Sequence, residues 1–185
     1  MKAILLSIKP EWLVKILNGE KTIEVRKVFP KDYVGWVYLY CSKGKPRVII
    51  QSNGVIAIDN KHYSYGDEEL NGKVIARFWC DKIEEIVCQN AFNEPTYNTE
   101  LLSERDLCIK SCLGLFGLFD YLGYKNGYAI HISKLEIFDK PKELSEFHTV
   151  NKIGIPQYQF GKGTCDYKKI TKAPQNYCYI LEENK

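Results

Sequence analysis

The sequence predicts an α+β fold, a small mixed β-barrel with helices at its periphery. Strand-like runs are short, numerous and concentrated in the first half of the chain, and the few helical patterns do not alternate with strands as regular βαβ units do. The scale fits as well. A chain of 185 residues with 45% hydrophobic content suits one domain with its own core. The expected division is a core body over about residues 1–140 and an extension over 141–185 that ends in a closing strand.

Residues 3–6 read as the first strand. Ser7, Ile8, Lys9 and Pro10 then open a helix, because proline is pre-set for the first helical turn, where its missing N–H is not needed. Trp12, Leu13, Ile16 and Leu17 recur on one face of that helix. Asn18-Gly19 stops it, since glycine takes a left-handed conformation without steric cost. Over residues 22–26, Ile23 and Val25 alternate with Thr22, Glu24 and Arg26, the pattern of a half-buried strand. Further strands are expected at 35–41, 48–50, 55–58 and 74–79, separated by turn chemistry at Ser42-Lys43-Gly44-Lys45-Pro46 and at the hairpin signal Asn53-Gly54. Residues 60–71 read as a polar loop. Helices follow from 100 to about 110 and from 115 to 121, the second ended by Gly123. A long strand over 127–138, an irregular tail and a last strand over 177–181 complete the reading.

Composition excludes several classes. No apolar run approaches the length of a membrane span, and no charged segment followed by an apolar one opens the sequence, so a cytoplasmic protein without membrane partners is expected. Seven cysteines form an odd set without a CxxC pair, which points to reduced thiols. Cys108 and Cys112 lie four apart, but two ligands are a poor zinc site, and no metal or cofactor is expected. The net charge of +3 is unevenly distributed. Residues 1–47 hold ten Lys and Arg against four Asp and Glu, residues 48–139 eight against fourteen, and residues 140–185 eight against five. If a closing strand brings the ends together, their positive charge combines into a patch for an anionic partner.

Three constellations are candidates for chemistry. Alternation puts Glu24 and Arg26 on one strand face, within reach of the long stem of Lys21. Two readings stay open: an exposed ion pair of little energetic consequence, or a polar ligand site. Trp36, Tyr38 and Tyr40 share a face of their strand, with core packing the expected role and base stacking the functional alternative. His131 and Ser133 are expected to point the same way from one strand, the histidine buried and hydrogen-bonded; nothing pairs it with a nucleophile. His62 and His148 receive no role.

The string Gly19, Lys21, Glu24, Arg26 after a short helix resembles the hallmark GxKxxExR of the ASCH domain, a member of the PUA-like superfamily. Residues 5–27 are similar to the opening of phage and bacterial ASCH proteins throughout. So are Gly127-Tyr128-Ala129-Ile130-His131-Ile132-Ser133, Asp139-Lys140-Pro141-Lys142-Glu143-Leu144-Ser145 and Ala173-Pro174-Gln175-Asn176-Tyr177-Cys178-Tyr179. The resemblance implies a PUA-like barrel akin to RNA-binding domains, although fold does not fix function. It implies a cleft lined by Lys21, Glu24 and Arg26 for RNA or a modified nucleoside or nucleotide. Lys21 and Arg26 are expected to hold a phosphate or carbonyl, Glu24 to orient Arg26 or accept from a base amine, and Lys9 with Ser7 to add an anion site at the helix mouth.

The same resemblance carries a hydrolytic alternative with Lys21 and Glu24 as catalytic candidates. In related amidohydrolases that act on a modified cytidine, the motif lysine works with a threonine nucleophile. Glu24 stands where that threonine is expected, which removes the hydroxyl, although Thr22 is close by. Other ASCH proteins are similar to ribonucleases, and a Lys, Glu and Arg cluster suits acid and base steps on a phosphodiester. A protein-interaction module whose motif is only structural is the third reading. The sequence assigns no oligomeric state.

Overall fold

The computed structural model describes residues 2–51, 54–59, 68–91, 94–150 and 167–182. Asn53, His62, Cys165 and most of the polar loop expected over 60–71 lie outside the described residues. The fold is mixed α+β, mostly strands, as the sequence predicts.

Strand β1 (Lys2–Ile8) carries Ala3, Ile4, Leu5 and Leu6, all fully buried. Such an unbroken apolar run is what a strand covered on both faces requires. Helix α1 (Pro10–Leu17) begins at its proline, with Glu11 in the first turn and Lys15 in the last, and packs Leu13, Val14, Ile16 and Leu17 into the main core. Gly19 follows at φ +75° and turns the chain into β2 (Ile23–Arg26). Next come β3 (Gly35–Cys41), β4 (Arg47–Ile50), β5 (Ile56–Asp59), β6 (Glu68–Glu69) and β7 (Val74–Cys80).

The hairpin of β8 (Ile83–Ala91) and β9 (Glu94–Asn98) was not legible as strands. Its Pro95 is tolerated because β9 is an edge. Helices α2 (Glu104–Ser111) and α3 (Gly114–Leu122) follow; Ser103 caps α2 by accepting from the Asp106 N–H, and α3 ends at Gly123. The single strand expected over 127–138 is two strands, β10 (Gly127–His131) and β11 (Ser133–Lys142), in different sheets. The switch has a local cause. Lys134 adopts a positive φ of 44°, Ile132 donates to the Thr22 carbonyl, and the Ser133 hydroxyl donates to the Trp79 carbonyl. His131 and Ser133 therefore do not share a strand face. Strands β12 (His148–Val150), β13 (Tyr167–Lys169) and β14 (Tyr177–Leu181) end the order.

Seven strands form the large sheet, β11-β7-β3-β1-β14-β12-β13, in which β1 and β3 are parallel and β14 returns antiparallel to β1 with Ala3 opposite Ile180. A second sheet runs β2-β10-β8-β9 and a third β5-β4-β6. The first and last strands thus pair as expected, but β2 belongs to a different sheet. The C-terminal segment still reaches it, because Arg26 of β2 donates through Nη1 to Asn176 Oδ1.

The aromatic face of β3 is core: Tyr38 and Tyr40 are buried with Ala3, Leu5, Phe147 and Ile180, and the Arg77 guanidinium lies 4.0 Å from the Trp36 ring centroid. A second core lies between β2, β10 and the helical pair, built from Ile23, Val25, Ile86, Tyr97, Leu107, Leu118 and Ala129. Gly127 fixes how closely β10 approaches β2, since a Cβ there meets the Arg26 carbonyl at 3.0 Å and Leu122 at 2.8 Å. No helix among the described residues is long and apolar enough to cross a membrane.

Candidate functional site

The turn after α1 delivers Lys21 to the C-terminal end of α2, where its ammonium donates to the Ser111 carbonyl at 2.7 Å. A cation at that end meets the unsatisfied carbonyls and the negative pole of the helix. The Thr22 N–H donates to the Lys110 carbonyl and locks the junction. Lys21 is 3% exposed and Glu24 6%, so the expectation of a half-buried strand with a solvated polar face fails. Both faces of β2 are covered.

Glu24 joins the two cations. Its Oε2 lies 3.3 Å from Lys21 Nζ and its Oε1 2.9 Å from Arg26 Nε. The Arg26 Nε–H is not aimed at an acceptor and the atom is buried without a hydrogen bond, so this second contact is coulombic rather than directed. The rest of the guanidinium is held firmly: Nη2 donates to the Ser7 carbonyl at 2.7 Å and Nη1 to Asn176 Oδ1 at 3.0 Å. Asn176 in turn donates to the Val28 carbonyl. Arg26 is thereby fixed by β1, by its own strand and by the segment before β14.

These residues open onto a cavity of about 310 Å³. Lys9, Lys21, Glu24 and Arg26, the four residues singled out in the sequence, all line it, with Ser7 at the mouth of α1. Trp12 and Tyr121 form aromatic walls; Lys21 Nζ sits 5.6 Å from the Trp12 ring centroid and Lys27 Nζ 5.3 Å from that of Tyr121. Burial pushes the Tyr121 hydroxyl above the ordinary phenol value, and the Arg26 charge opposes that shift. Among the lining residues three cations face one carboxylate.

Sequence reasoning missed Leu113, Tyr121 and Gln175 as lining and Asn176 as the brace for Arg26. Gln175 and Asn176 lie within residues 173–179, which the resemblance had marked. The contribution of the C-terminal segment to the cavity is the neutral Gln175, not a lysine, so the positive character comes from the N-terminal elements. Thr22 is exposed and does not line the cavity, so it does not replace a threonine at position 24.

His131 belongs to a separate cluster. Its Nε2 lies 2.6 Å from Glu84 Oε1, which also meets Lys82 Nζ at 3.0 Å; the Thr99 hydroxyl donates to Glu84 Oε2 at 2.5 Å and the Leu101 N–H at 3.3 Å. Burial disfavours the ionised carboxyl, but the hydrogen bonds from Thr99, Lys82 and His131 outweigh it and hold Glu84 down at about 2. Ser133 bonds elsewhere, to the Trp79 carbonyl and Asp81. The six cysteines among the described residues are unpaired, and burial pushes the Cys41 and Cys80 thiols up to about 12. Among the described residues no three His, Cys, Asp or Glu side chains converge as a metal-ligand group.

No protein-family model matches the chain, and no curated protein matches it. Solved structures do. That of ASCH from Zymomonas mobilis superposes with a TM-score of 0.53 at 13% identity, covering 97% of this chain and 88% of the other. A serine-to-alanine mutant of the same protein gives 0.53 at 15% identity, covering 97% and 89%. At such identities the likeness is one of fold: the chain has the fold of an ASCH domain.

Proposed function

We propose that the cavity binds an anionic nucleotide, either free or as a unit of RNA. The observation that carries this reading is the charge imbalance in a confined space: Lys21 and Arg26, nearly removed from water, face the single carboxylate of Glu24, and Lys9 adds a further cation at the mouth. A buried excess of positive charge is costly unless an anion completes it. Trp12 and Tyr121 supply the flat apolar surfaces that a base needs, and a cavity of about 310 Å³ lies at the lower end of the size range of small-molecule sites.

In this reading Glu24 holds the two cations at fixed separation, and the free N–H groups of Arg26 and Lys21 meet phosphate or a base carbonyl. Gln175, with a donor and an acceptor, faces the same space. Binding is favoured over hydrolysis because position 24 carries no hydroxyl and the Ser7 hydroxyl at the mouth is committed to the Pro174 carbonyl.

The test is titration calorimetry of the protein with ribonucleotides and short RNAs, followed by chromatography of the same mixtures for phosphodiester cleavage products. Arg26→Ala is expected to weaken binding by about tenfold or more, the loss of a charge-assisted pair. A parent protein that binds none of these ligands contradicts the proposal, and product formation moves it to the hydrolase reading.

A further inference from the structure

Apart from Glu24, the partners that hold the two buried cations of the cavity in place carry no charge. Lys21 Nζ donates to the Ser111 carbonyl at 2.7 Å, Arg26 Nη2 to the Ser7 carbonyl at 2.7 Å and Arg26 Nη1 to Asn176 Oδ1 at 3.0 Å. Asn176 is the informative member of this set. Its Nδ2 donates to the Val28 carbonyl at 3.1 Å, which turns Oδ1 toward the guanidinium. An aspartate here would set a second acceptor against the Val28 carbonyl and cancel the charge of Arg26, whereas the amide fixes the guanidinium and leaves its charge in place. The backbone around Asn176 is anchored as well, since Ser7 donates through its N–H to the Asn176 carbonyl and through its hydroxyl to that of Pro174.

Lys9, Lys21 and Arg26 line the cavity against the single carboxylate of Glu24, which leaves two positive charges unmatched among the described lining residues. Glu11 and Glu20 do not line it. The remaining titratable lining group is Tyr121, whose hydroxyl burial pushes above the ordinary phenol value, so it stays neutral. Behind the aromatic walls stand further cations, Lys15 Nζ 5.5 Å from the Trp12 ring centroid and Lys27 Nζ 5.3 Å from that of Tyr121. We infer that the site is matched to a terminal phosphate monoester, a dianion, rather than to the singly charged diester of an internal linkage, and that Asn176 is the positioning residue that preserves this match. The inference rests on the nucleotide reading of the cavity and narrows it to ligands that end in phosphate, either a mononucleotide or a phosphorylated chain end. A monoester carries about 1.5 to 2 negative charges at neutral pH, with a second ionisation near about 6, whereas each diester phosphate carries one. The dianion balances the excess beside Glu24, and the diester leaves part of it unmatched.

The experiment is titration calorimetry of uridine 5′-monophosphate against its methyl ester, a diester with the same base and sugar, at pH 7.5 and pH 5. The parent is expected to bind the monoester at least about tenfold more tightly at pH 7.5, the effect of one further charge in a partly desolvated site. At pH 5 about one-tenth of the monoester is still dianionic, so a tenfold preference contracts to about twofold. The methyl ester has no second ionisation and reports any change in the protein itself. Asn176→Asp is expected to weaken monophosphate binding about tenfold and to bring the preference close to unity. Asn176→Ala, which loses the same bond to Val28 but adds no charge, is expected to weaken both ligands alike and keep the preference. Thermal melting checks that both variants fold, and the parent's own two ligands at two pH values decide the monoester inference without them. Equal affinity for ester and monoester, or a preference unchanged at pH 5, overturns that inference while leaving the nucleotide reading intact. A folded Asn176→Asp that keeps the parent's preference overturns the role of Asn176. Binding of neither ligand by the parent contradicts the nucleotide reading and removes this inference with it.

Discussion

The β2-β10-β8 sheet carries a buried carboxylate cluster on each of its faces, and the two differ in a way that separates structure from function. Ile130 of β10 lies opposite Glu24, while its neighbour Ala129 lies opposite Glu84. Residues paired across strands share a face and successive residues alternate, so the two glutamates point to opposite sides of the same sheet. Glu84 is closed. It receives Thr99, Lys82, His131 and the Leu101 N–H and borders the second core. Glu24 receives two cations, leaves a guanidinium nitrogen without a hydrogen bond and opens onto the cavity. The closed Glu84 is held down at about 2 by its hydrogen bonds. A displaced pKa alone therefore marks good hydrogen bonding here, whereas unmatched charge beside empty space is the feature on which the proposed ligand site rests.

The largest expected effect breaks the closed cluster. Glu84→Ala strands the Thr99 hydroxyl, while the Leu101 N–H keeps Thr99 Oγ1 as an acceptor and Lys82 and His131 keep access to water. The expected loss is about 2 to 3 kcal/mol in urea unfolding, with nucleotide affinity unchanged. A variant that folds as well as the parent but fails to bind reverses the assignment of the two faces.

Acid sharpens the same contrast. The folded Glu84 carboxyl is held at about 2 against an ordinary value of 4.5, so as pH falls the unfolded chain takes up its proton first. Its contribution to stability is complete above about 4.5, declines between there and 2, and vanishes below. The stability gap between parent and Glu84→Ala is accordingly narrower at pH 3 than at pH 7. Equal gaps at both pH values mean that the carboxylate is not held by these bonds.

The smallest effect concerns the rim of the open cluster. Lys9 is exposed beside the cavity, and Lys9→Ala is expected to weaken nucleotide binding about two- to threefold with no change in melting, a surface charge term that disappears in high salt. A loss that persists unchanged at high salt shows a direct contact instead.

Much of the open face was legible in the sequence because local rules govern it. Pro10 and Gly19 bracket α1, alternation in β2 places Glu24 with Arg26, and Lys9, Lys21, Glu24 and Arg26 all reach one cavity. The burial of Lys21 and Glu24 was not legible. It depends on the α2 terminus, whose Ser111 carbonyl lies ninety residues from Lys21. The closed face was hidden for the same reason. Consecutive glutamates at 84 and 85 do not look like an inner strand until His131 and Thr99 arrive from elsewhere. The change of sheet between β10 and β11 also leaves no mark in the hydrophobic pattern, since Ile130 and Ile132 continue the alternation. The left-handed Lys134 and the distant Thr22 and Trp79 carbonyls impose it.

The central claim is that unmatched positive charge around Glu24 recruits an anion, and titration calorimetry of uridine against uridine 5′-monophosphate tests it most directly. The monophosphate is expected to bind at least about tenfold more tightly, with an advantage that falls as salt rises, and Arg26→Ala is expected to remove most of that advantage. Equal affinity for the nucleoside and its monophosphate, in a parent that binds both, contradicts the claim.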